Sequence, residues 1–214
     1  MHAYATDAKD RESIPLWLAA FAVAAALAFS FVLKFLKWEV PWWVDAPSVM
    51  GFYGFLYYLF DNFIWSYQLG KFSFSSIPNL KGTWVGVIHS SYNDTDYDGI
   101  VLYIHQTWSS VSVQLQTMTS SSRSTMASIN TLDSSESTLK YEYMNEPTAR
   151  SLQTMVIHRG TANMRLSPDG LSLEGDYFTG RGRQTFGDMR FKFISRDRLT
   201  RDKALDKYSK LSTP

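Results

Sequence analysis

The second half of the chain consists of short segments in which apolar and polar residues alternate. From Gly82 onward eight such runs follow one another, each separated from the next by a turn rich in Gly, Ser, Asn or Asp. A period of two is typical of β-strands with one buried face, and none of the runs has the 3.6-residue apolar period of a helix. Eight strands joined in sequence by hairpins predict an all-β domain, an antiparallel up-and-down β-barrel that can hold one small ligand.

The parity of the runs predicts which side chains point into the barrel. In the runs "TLKYEYMN" and "GLSLEGDYFT", aromatic and apolar residues alternate with charged ones. The uncharged sets belong inside, because successive side chains of a strand point to opposite faces of a sheet. The inward residues nearest one rim are then Tyr141, Tyr143, Asn145, Tyr177 and Thr179. The fourth and sixth runs are too mixed for an assignment.

Alternate connections of an up-and-down barrel lie at the same rim. Residues 90–98, 118–123, 146–154 and 180–187 therefore share the rim away from the linker to the preceding helices. That rim gathers polar and cationic side chains at the predicted mouth of the barrel: Tyr92, Ser120, Ser121, Ser122, Arg123, Arg150, Arg181 and Arg183. The glycines beside the last two arginines allow the backbone to approach a bound anion closely.

An aromatic cavity with an arginine- and serine-lined mouth suits a ligand that has flat rings and phosphates. Tyrosines stack on bases, and planar guanidinium groups bind phosphate oxygens bidentately. Two other interpretations stay open from spacing alone: arginines in surface hairpins are often only solvated, and inward tyrosines can fill a small barrel completely.

Composition argues against several classes of function. The 21 Lys and Arg residues against 20 Asp and Glu residues give a formal net charge of +1, so no bulk positive field recruits DNA or RNA. Cysteine is absent and the four histidines show none of the spacings of metal sites, so we expect neither a metal nor another cofactor. No nucleophile–base pair, carboxylate pair or phosphate-loop signature occurs in the sequence, and we expect no enzymatic activity.

The first half of the chain is apolar and aromatic. The uncharged run from Ile14 to Leu33 is long enough, at about 1.5 Å per residue, to cross the roughly 30 Å hydrocarbon core of a bilayer. The alternative is a secretory signal peptide, because "ALA" at residues 26–28 resembles a cleavage site. The run continues through Leu33 and ends in "KFLKW", which favours a retained transmembrane helix.

A second apolar segment, "PWWVDAPSVMGFYGFLYYLFDNFIWSY", has aromatic residues at both ends. Trp42 and Trp43 at one end and Trp65 at the other are typical of interfacial belts, and their spacing predicts a second transmembrane helix. Asp61 and Asn62 fall inside the second belt. Either the helix end is hydrated there, or the two side chains hydrogen-bond between helices and promote self-association.

These features divide the chain into four parts. We expect an N-terminal segment (1–13), a two-helix transmembrane hairpin (14–76), the β-barrel (77–196) and a C-terminal tail (197–214) that forms a short solvated helix. Two crossings put both ends of the chain on one side of the membrane. The Lys and Arg residues that flank the helices give only a weak preference for a cytosolic barrel.

The opening of the first strand, "GTW" at Gly82 to Trp84, resembles the G-x-W signature of lipocalin-type barrels, and a membrane hairpin precedes it. Together the two arrangements resemble the two-transmembrane β-barrel effectors of bacterial cyclic-oligonucleotide-based antiphage signalling systems (CBASS). The resemblance covers nearly all of the chain and rests mainly on architecture. It implies an eight-stranded lipocalin-like barrel whose base is closed by Trp84.

The resemblance also implies a function. In such systems a nucleotidyltransferase (CD-NTase) makes a cyclic dinucleotide during infection, and the cytosolic barrel binds it. The effector then oligomerises in the bacterial inner membrane and disrupts it, which causes cell death or growth arrest. The chain would thus be a multi-pass inner-membrane protein whose partners are the ligand, membrane lipids and copies of itself. Two alternatives remain: a membrane-tethered carrier of a lipid or other apolar ligand, and a structural module with a solid barrel.

Overall fold

The computed structural model describes residues 1–37, 45–69, 72–131, 136–151, 156–180 and 184–212 of the chain. It contains two compact units. The barrel unit consists of Met1–Asp7 and Ile77–Pro214, and the membrane unit is Ala8–Ser76. In sequence, the membrane unit is therefore an insertion between the first residues of the barrel unit and the rest of it.

The membrane unit contains the helices α1 (Asp10–Phe35) and α2 (Asp45–Asn62). Two short strands, β1 (His2–Ala3) and β2 (Ala5–Thr6), precede α1, and a small hairpin of β3 (Gln68–Leu69) and β4 (Phe72–Ser73) follows α2. The strands that follow are β5 (Gly82–Ser90), β6 (Thr95–Gln106), β7 (Ser110–Gln116), β8 (Ser120–Asn130), β9 (Thr138–Pro147), β10 (His158–Leu166), β11 (Ser172–Thr179) and β12 (Phe186–Ser195). Helix α3 (Arg201–Ser212) comes last.

Strands β5 to β12 form a closed antiparallel barrel of eight strands. Each pairs with its neighbour in sequence, and β12 closes the cylinder against β5. The eight alternating runs of the sequence correspond one to one with these strands, so the predicted fold class is confirmed. The shortest ladder is the one between β7 and β8, which has three residue pairs, from Gln114 opposite Arg123 to Gln116 opposite Ser121.

The half of the barrel near the start of β5 is solid. Trp84 is fully buried there, and its indole N–H donates to the Leu80 carbonyl at 3.0 Å. The Trp84 ring meets the Phe193 ring edge-on at a centroid distance of 5.1 Å. Trp84 thus lies at the base of the barrel, as the G-x-W resemblance implies. Other fully buried side chains complete this core: Leu102, Ile104, Ile129, Leu139, Met164, Leu173 and Phe191.

Two of the three register shifts between the described barrel strands are β-bulges that change which residues point inward. Opposite the step from Gly86 to Ile88, strand β6 carries one extra residue at Gly99, whose φ is +64°. Strand β8 carries one extra residue relative to β9 between Ser124 and Met126. Each bulge reverses the inward and outward parity along its strand, because side chains alternate with a period of two. The fourth run of the sequence looks mixed for this reason.

The C-terminal helix is not simply solvated, which corrects the expectation from its charged sequence. Ala204 of α3 is fully buried in a cluster with Val85, Val101, Tyr103 and Ile194. These strand residues point away from the lumen, so β5 and β6 are apolar on both faces. An apolar outer face needs a covering element, and α3 provides it.

In the membrane unit, α1 is long and apolar enough to cross a bilayer, with a mean hydropathy of 2.4 in its most apolar stretch. The rings of Phe29 on α1 and Phe52 on α2 pack edge to face with centroids 5.9 Å apart. Within the described ranges α1 is the one helix that meets the length and composition of a membrane span, and the 18-residue α2 does not. Trp42 and Trp43, which define one belt of the predicted second crossing, lie outside the described residues.

The first seven residues belong to the barrel unit. Strand β1 pairs with β7, and β2 pairs with β8. The sequence-based division treated residues 1–13 as one segment ahead of the membrane. The structure instead divides them between the two units, because Met1–Asp7 hydrogen-bond with barrel strands more than 100 residues away in sequence.

Candidate functional site

A cavity of about 300 Å³ occupies the half of the barrel opposite Trp84, and we call it the lumen pocket. Its volume lies at the lower end of the range for small-molecule sites, about 300–1,000 Å³. All eight barrel strands contribute side chains to it: Ile88, Ser90, Tyr97, Ile100, Leu115, Ser120, Ser122, Tyr141, Tyr143, Asn145, His158, Tyr177, Thr179 and Met189. The connections add Tyr92, Thr117, Thr119, Ser151 and Thr185. A barrel packed solid throughout is thereby excluded.

The three tyrosines predicted to point inward line the pocket. Tyr141 and Tyr143 lie next to each other on β9, with ring centroids 6.1 Å apart and ring planes inclined by 52°. Tyr177 on β11 donates its hydroxyl hydrogen to the Ser90 Oγ at 2.7 Å. Burial raises the pKa of Tyr141 above its ordinary value, so this phenol stays protonated and keeps a hydrogen to donate.

Gly160 creates the space that the Tyr143 ring occupies. The two residues are paired across β9 and β10. A Cβ at Gly160 would come within 2.4 Å of the Tyr143 hydroxyl oxygen and 2.7 Å of the Phe178 carbonyl oxygen. A glycine inside a strand often marks such a close approach. The ring of Tyr143 therefore lies across the neighbouring strand, where Gly160 has no side chain to block it.

Strand β8 presents alternate serines to the pocket. Ser120 and Ser122 are buried and line it, whereas Arg123 is exposed on the outer face. We predicted Ser121 and Arg123 at the mouth, and the structure places both on the outside of the wall. The cause is that residues 118–123 are not a loop: β8 already begins at Ser120, so strict alternation applies from there.

The connection between β11 and β12 begins and ends at the mouth of the pocket. The hydroxyls of Thr179 and Thr185 lie 3.0 Å apart, and the Thr185 amide donates to the Thr179 Oγ1 at 2.8 Å. Both threonines line the pocket. Arg181 and Arg183, which we predicted in this connection, lie outside the described residues, as does the side chain of Arg150.

Several lining residues were not predicted from the sequence. Tyr97 was assigned to a rim loop, but the bulge at Gly99 turns it inward, and it lines the pocket as the predicted Tyr92 does. A lone glycine in an alternating run was the signal that could have indicated this bulge. His158 comes from the sixth run, which could not be assigned by parity, whereas Ser120 and Ser122 were placed at the rim without an inward or outward assignment.

The described lining combines apolar and aromatic side chains with polar groups and carries little charge. It offers hydroxyl groups, the Asn145 amide and the imidazole of His158, whose Nδ1 lies 3.0 Å from the Val156 carbonyl oxygen. Among the described residues, no group of three or more His, Cys, Asp or Glu is placed to hold a metal ion. Such a lining can stack on rings and hydrogen-bond to polar ligand atoms.

Asp61 and Asn62, the two polar residues at the end of α2, were predicted as an association site. Asn62 donates from Nδ2 to the Tyr58 carbonyl of the preceding turn at 2.9 Å, so its amide bonds within its own helix. Asp61 is half-buried within the chain. Association between copies through Asp61 and Asn62 stays a prediction.

A closed barrel that is solid at one end and hollow at the other, on a chain with a helix long enough to cross a membrane, defines a membrane-anchored ligand-binding barrel. Residues 75–193 match the family model "Cap15, cyclic dinucleotide receptor domain", and residues 12–66 match "Cap15, TM helices". The chain therefore belongs to the Cap15 family.

Two curated relatives agree with this assignment. CD-NTase-associated protein 15 of Yersinia aleksiciae is 39% identical over 144 residues, which cover 66% of this chain and 67% of the relative. CD-NTase-associated protein 15 of Staphylococcus schleiferi is 24% identical over 155 residues, which cover 72% of this chain and 82% of the relative. The resemblance to the β-barrel effectors of CBASS is confirmed. The chain combines a cyclic dinucleotide receptor domain with a transmembrane-helix domain of that family.

Proposed function

We propose that this chain is the membrane effector of a CBASS antiphage system, and that the lumen pocket binds a cyclic dinucleotide made by a CD-NTase. The observation that carries the proposal is a lumen that stays hollow at the rim half and is lined by five tyrosines together with hydroxyl and amide groups. The barrel lies in the cytoplasm, where such a ligand is made, and α1 and α2 anchor it in the inner membrane.

Different side chains of the lining bind different parts of the ligand. Tyr143 and Tyr177 provide stacking surfaces for the two bases, above a floor formed by Tyr141. Hydroxyl and amide groups bond to base edges, ribose and phosphate oxygens, and they come from Tyr92, Ser120, Ser122, Asn145 and Thr179. Arg150, Arg181 and Arg183 belong to connections at this rim and supply the positive charge that two phosphates require.

Ligand binding has consequences in the membrane. A ligand shifts a conformational equilibrium only by its differential affinity for the two states, so the ligand must favour the form that assembles. Copies of the chain then oligomerise, the inner membrane is disrupted, and the infected cell dies or stops growing. No catalytic step is part of the proposal, because the ligand is bound and released unchanged.

Thermal unfolding of the full chain in detergent tests the proposal with a panel of cyclic dinucleotides. A ligand at about 100 times its dissociation constant adds about 2.7 kcal/mol to the native state. At least one cyclic dinucleotide should raise the midpoint by several degrees, while the matching mononucleotides should not. If every cyclic dinucleotide leaves the midpoint unchanged, the receptor function of the pocket is wrong.

The second candidate is a carrier of a lipid or other apolar ligand. It is favoured by the apolar part of the lining, Ile88, Ile100, Leu115 and Met189. Fatty acids and lysophospholipids belong in the same thermal-unfolding panel. Stabilisation by these amphiphiles, with no response to any cyclic dinucleotide, would support the carrier.

A further inference from the structure

Strands β7 and β8 separate halfway along their length. Their ladder covers residues 114–116 and 121–123, and the next amide, Val113 N–H, donates to the side-chain Oγ of Ser124 at 2.9 Å. The β8 bulge between Ser124 and Met126 lies directly beyond this point. A bulge bends its strand and ends regular pairing. The barrel wall therefore contains a fork between the start of β7 and the second half of β8.

The N-terminal segment Met1–Asp7 fills this fork. On one side β1 pairs antiparallel with β7, with His2 opposite Val111 and Ala3 opposite Ser110. On the other side β2 pairs parallel with β8, with Ala5 opposite Ser128. The segment thus covers the two strand edges that the fork would otherwise expose, and open edges are a liability in β-sheet proteins.

Side chains fix the segment at three points. The Tyr4 hydroxyl donates to the Trp108 carbonyl at 2.6 Å, and Tyr4 is only 7% exposed. A ring nitrogen of His2, Nε2, lies 2.8 Å from the Ser124 Oγ, the same hydroxyl that ends the ladder. The Asp7 Oδ1 accepts hydrogen bonds from the Thr131 amide at 2.7 Å and from its hydroxyl at 3.1 Å.

The segment also stands between the pocket and the membrane helix along the chain. Leu115 and Ser122 are opposite each other in the middle of the short β7–β8 ladder, one residue pair from the fork, and both line the lumen pocket. After Asp7, only Ala8 and Lys9 precede the first residue of α1. A change in the distance between β7 and β8 at the pocket thus also changes the width of the fork. When Met1–Asp7 leaves the fork, the residues that lead into α1 are released with it.

We propose that Met1–Asp7 is a displaceable strand that latches the fork and leaves it when a ligand fills the lumen pocket, which releases the start of α1 for assembly with other copies. This inference rests on the proposed function of the pocket. The segment holds the barrel by two residue pairs on each side, fewer than any ladder of the barrel, and elements held by few contacts are the first to open. A ligand that contacts Leu115 and Ser122 favours one distance between β7 and β8. The fork with Met1–Asp7 in place favours a different distance, so ligand binding and the latched state oppose each other.

The test is a disulfide across the latch in the full chain. Partners in an antiparallel pair have Cα atoms about 4.5–5.5 Å apart, within the range that a disulfide spans, so Ala3→Cys with Ser110→Cys can form one. The chain has no cysteine of its own, so no native thiol competes with the introduced pair. The matched control is Glu174→Cys with Arg190→Cys, an exposed pair in the permanent β11–β12 ladder.

We expect the oxidised latch variant to bind the cyclic dinucleotide at least fivefold more weakly than its reduced form, because coupled sites typically change each other's affinity by about 5- to 150-fold. It should also fail to assemble at ligand concentrations that assemble the reduced form, and reductant should restore both properties. The control pair should respond to the ligand equally in both redox states. Equal binding and assembly by the oxidised and reduced latch variant would overturn the latch, while ligand binding itself stays intact.

A non-reducing gel and a Tyr4→Phe variant provide two further tests of the latch. A disulfide that links two chains on a non-reducing gel, rather than one chain to itself, would show a second copy's segment in the fork and would overturn a latch within one chain. Tyr4→Phe removes the bond to Trp108 but keeps the ring, and it should raise assembly without ligand several-fold. If the reduced variants and the unmodified chain all fail to bind any cyclic dinucleotide, the proposed function is wrong as well as the coupling.

Discussion

Ser121 and Ser122 are neighbours on β8 whose side chains lie on opposite faces of the barrel wall. Only Ser122 lines the lumen pocket. Ser122→Val removes a donor and fills space, so we expect about tenfold weaker cyclic dinucleotide binding, which corresponds to the loss of one hydrogen bond of about 1.4 kcal/mol. Ser121→Val is the matched control and should bind within about twofold of the unmodified chain. Calorimetric titration measures both, and equal affinities would contradict the placement of the pocket.

Gly160 is a second single position with a defined effect. Gly160→Ala puts a methyl group within 2.4 Å of the Tyr143 hydroxyl, so the ring must move. We expect a loss of about 1–3 kcal/mol in the free energy of unfolding, typical of overpacking, together with weaker ligand binding. Urea denaturation provides the measurement.

Gly180→Ala is the control for that change, because the nearest atom to its new Cβ is the Arg159 carbonyl oxygen at 3.6 Å. This variant should unfold at nearly the urea concentration of the unmodified chain. A Gly160→Ala protein as stable as Gly180→Ala would show that the Tyr143 ring does not depend on the glycine.

Among the elements, the β11–β12 connection contains Arg181 and Arg183, which we propose as a source of positive charge for the ligand site. Arg181→Ala with Arg183→Ala should weaken cyclic dinucleotide binding at least tenfold, because hydrogen bonds to charged groups contribute about 1.5–3 kcal/mol each. The fold should persist, because the two arginines fall between the end of β11 and the start of β12, and substitutions in such connections usually change stability little. The matched control is Arg165→Ala with Arg190→Ala, two exposed arginines on strands of the outer face. Calorimetry that finds the two double variants equal would remove the loop arginines from the site.

The strands of the barrel could be predicted because alternation is a local property. Each of β5 to β12 has its own period-two pattern or a turn at each end. A strand can therefore be recognised from its own sequence, without knowing which strand it pairs with. The same reasoning placed Tyr141, Tyr143, Asn145, Tyr177 and Thr179 in one cavity. Parity fails at the bulges near Gly99 and Ser124, because a bulge depends on the register with the neighbouring strand. Ser121 and Arg123 were misplaced because the start of β8 was assigned to a loop.

Elements whose structure depends on distant residues could not be predicted. Strands β1 and β2 have two residues each, too few for any periodicity, and their partners lie more than 100 residues further along the chain. The buried face of α3 depends on the apolar outer face of β5 and β6. In both cases the information lies in tertiary contacts, and the sequence of the element itself indicates only solvated segments.

At the scale of the whole molecule, a membrane unit is inserted between two parts of a receptor barrel. The two units are thus joined by two chain connections, one after Asp7 and one before Ile77. A conformational change in the barrel unit can therefore reach the helices along the chain, either through the connection after Asp7 or through the one before Ile77. The proposed output is self-association in the membrane.

Asp61→Leu tests that output. A carboxylate near the end of α2 is costly in a membrane unless it is hydrated or finds a partner, and association between copies offers one. We expect the variant to bind ligand normally and to form fewer ligand-induced clusters in single-molecule membrane imaging. Asn62→Leu, which removes an amide bonded within its own helix, should have the smaller effect. Normal clustering by Asp61→Leu would exclude this carboxylate from the assembly contact.

The most direct measurement of the central claim is an experimental structure of the full chain bound to the cyclic dinucleotide that stabilises it best. The account predicts ligand density inside the rim half of the barrel, with one base against Tyr143, another against Tyr177, and polar contacts to Ser122 and Asn145. Ligand density on the outer surface of the barrel, with the lumen filled by protein side chains instead, would contradict it.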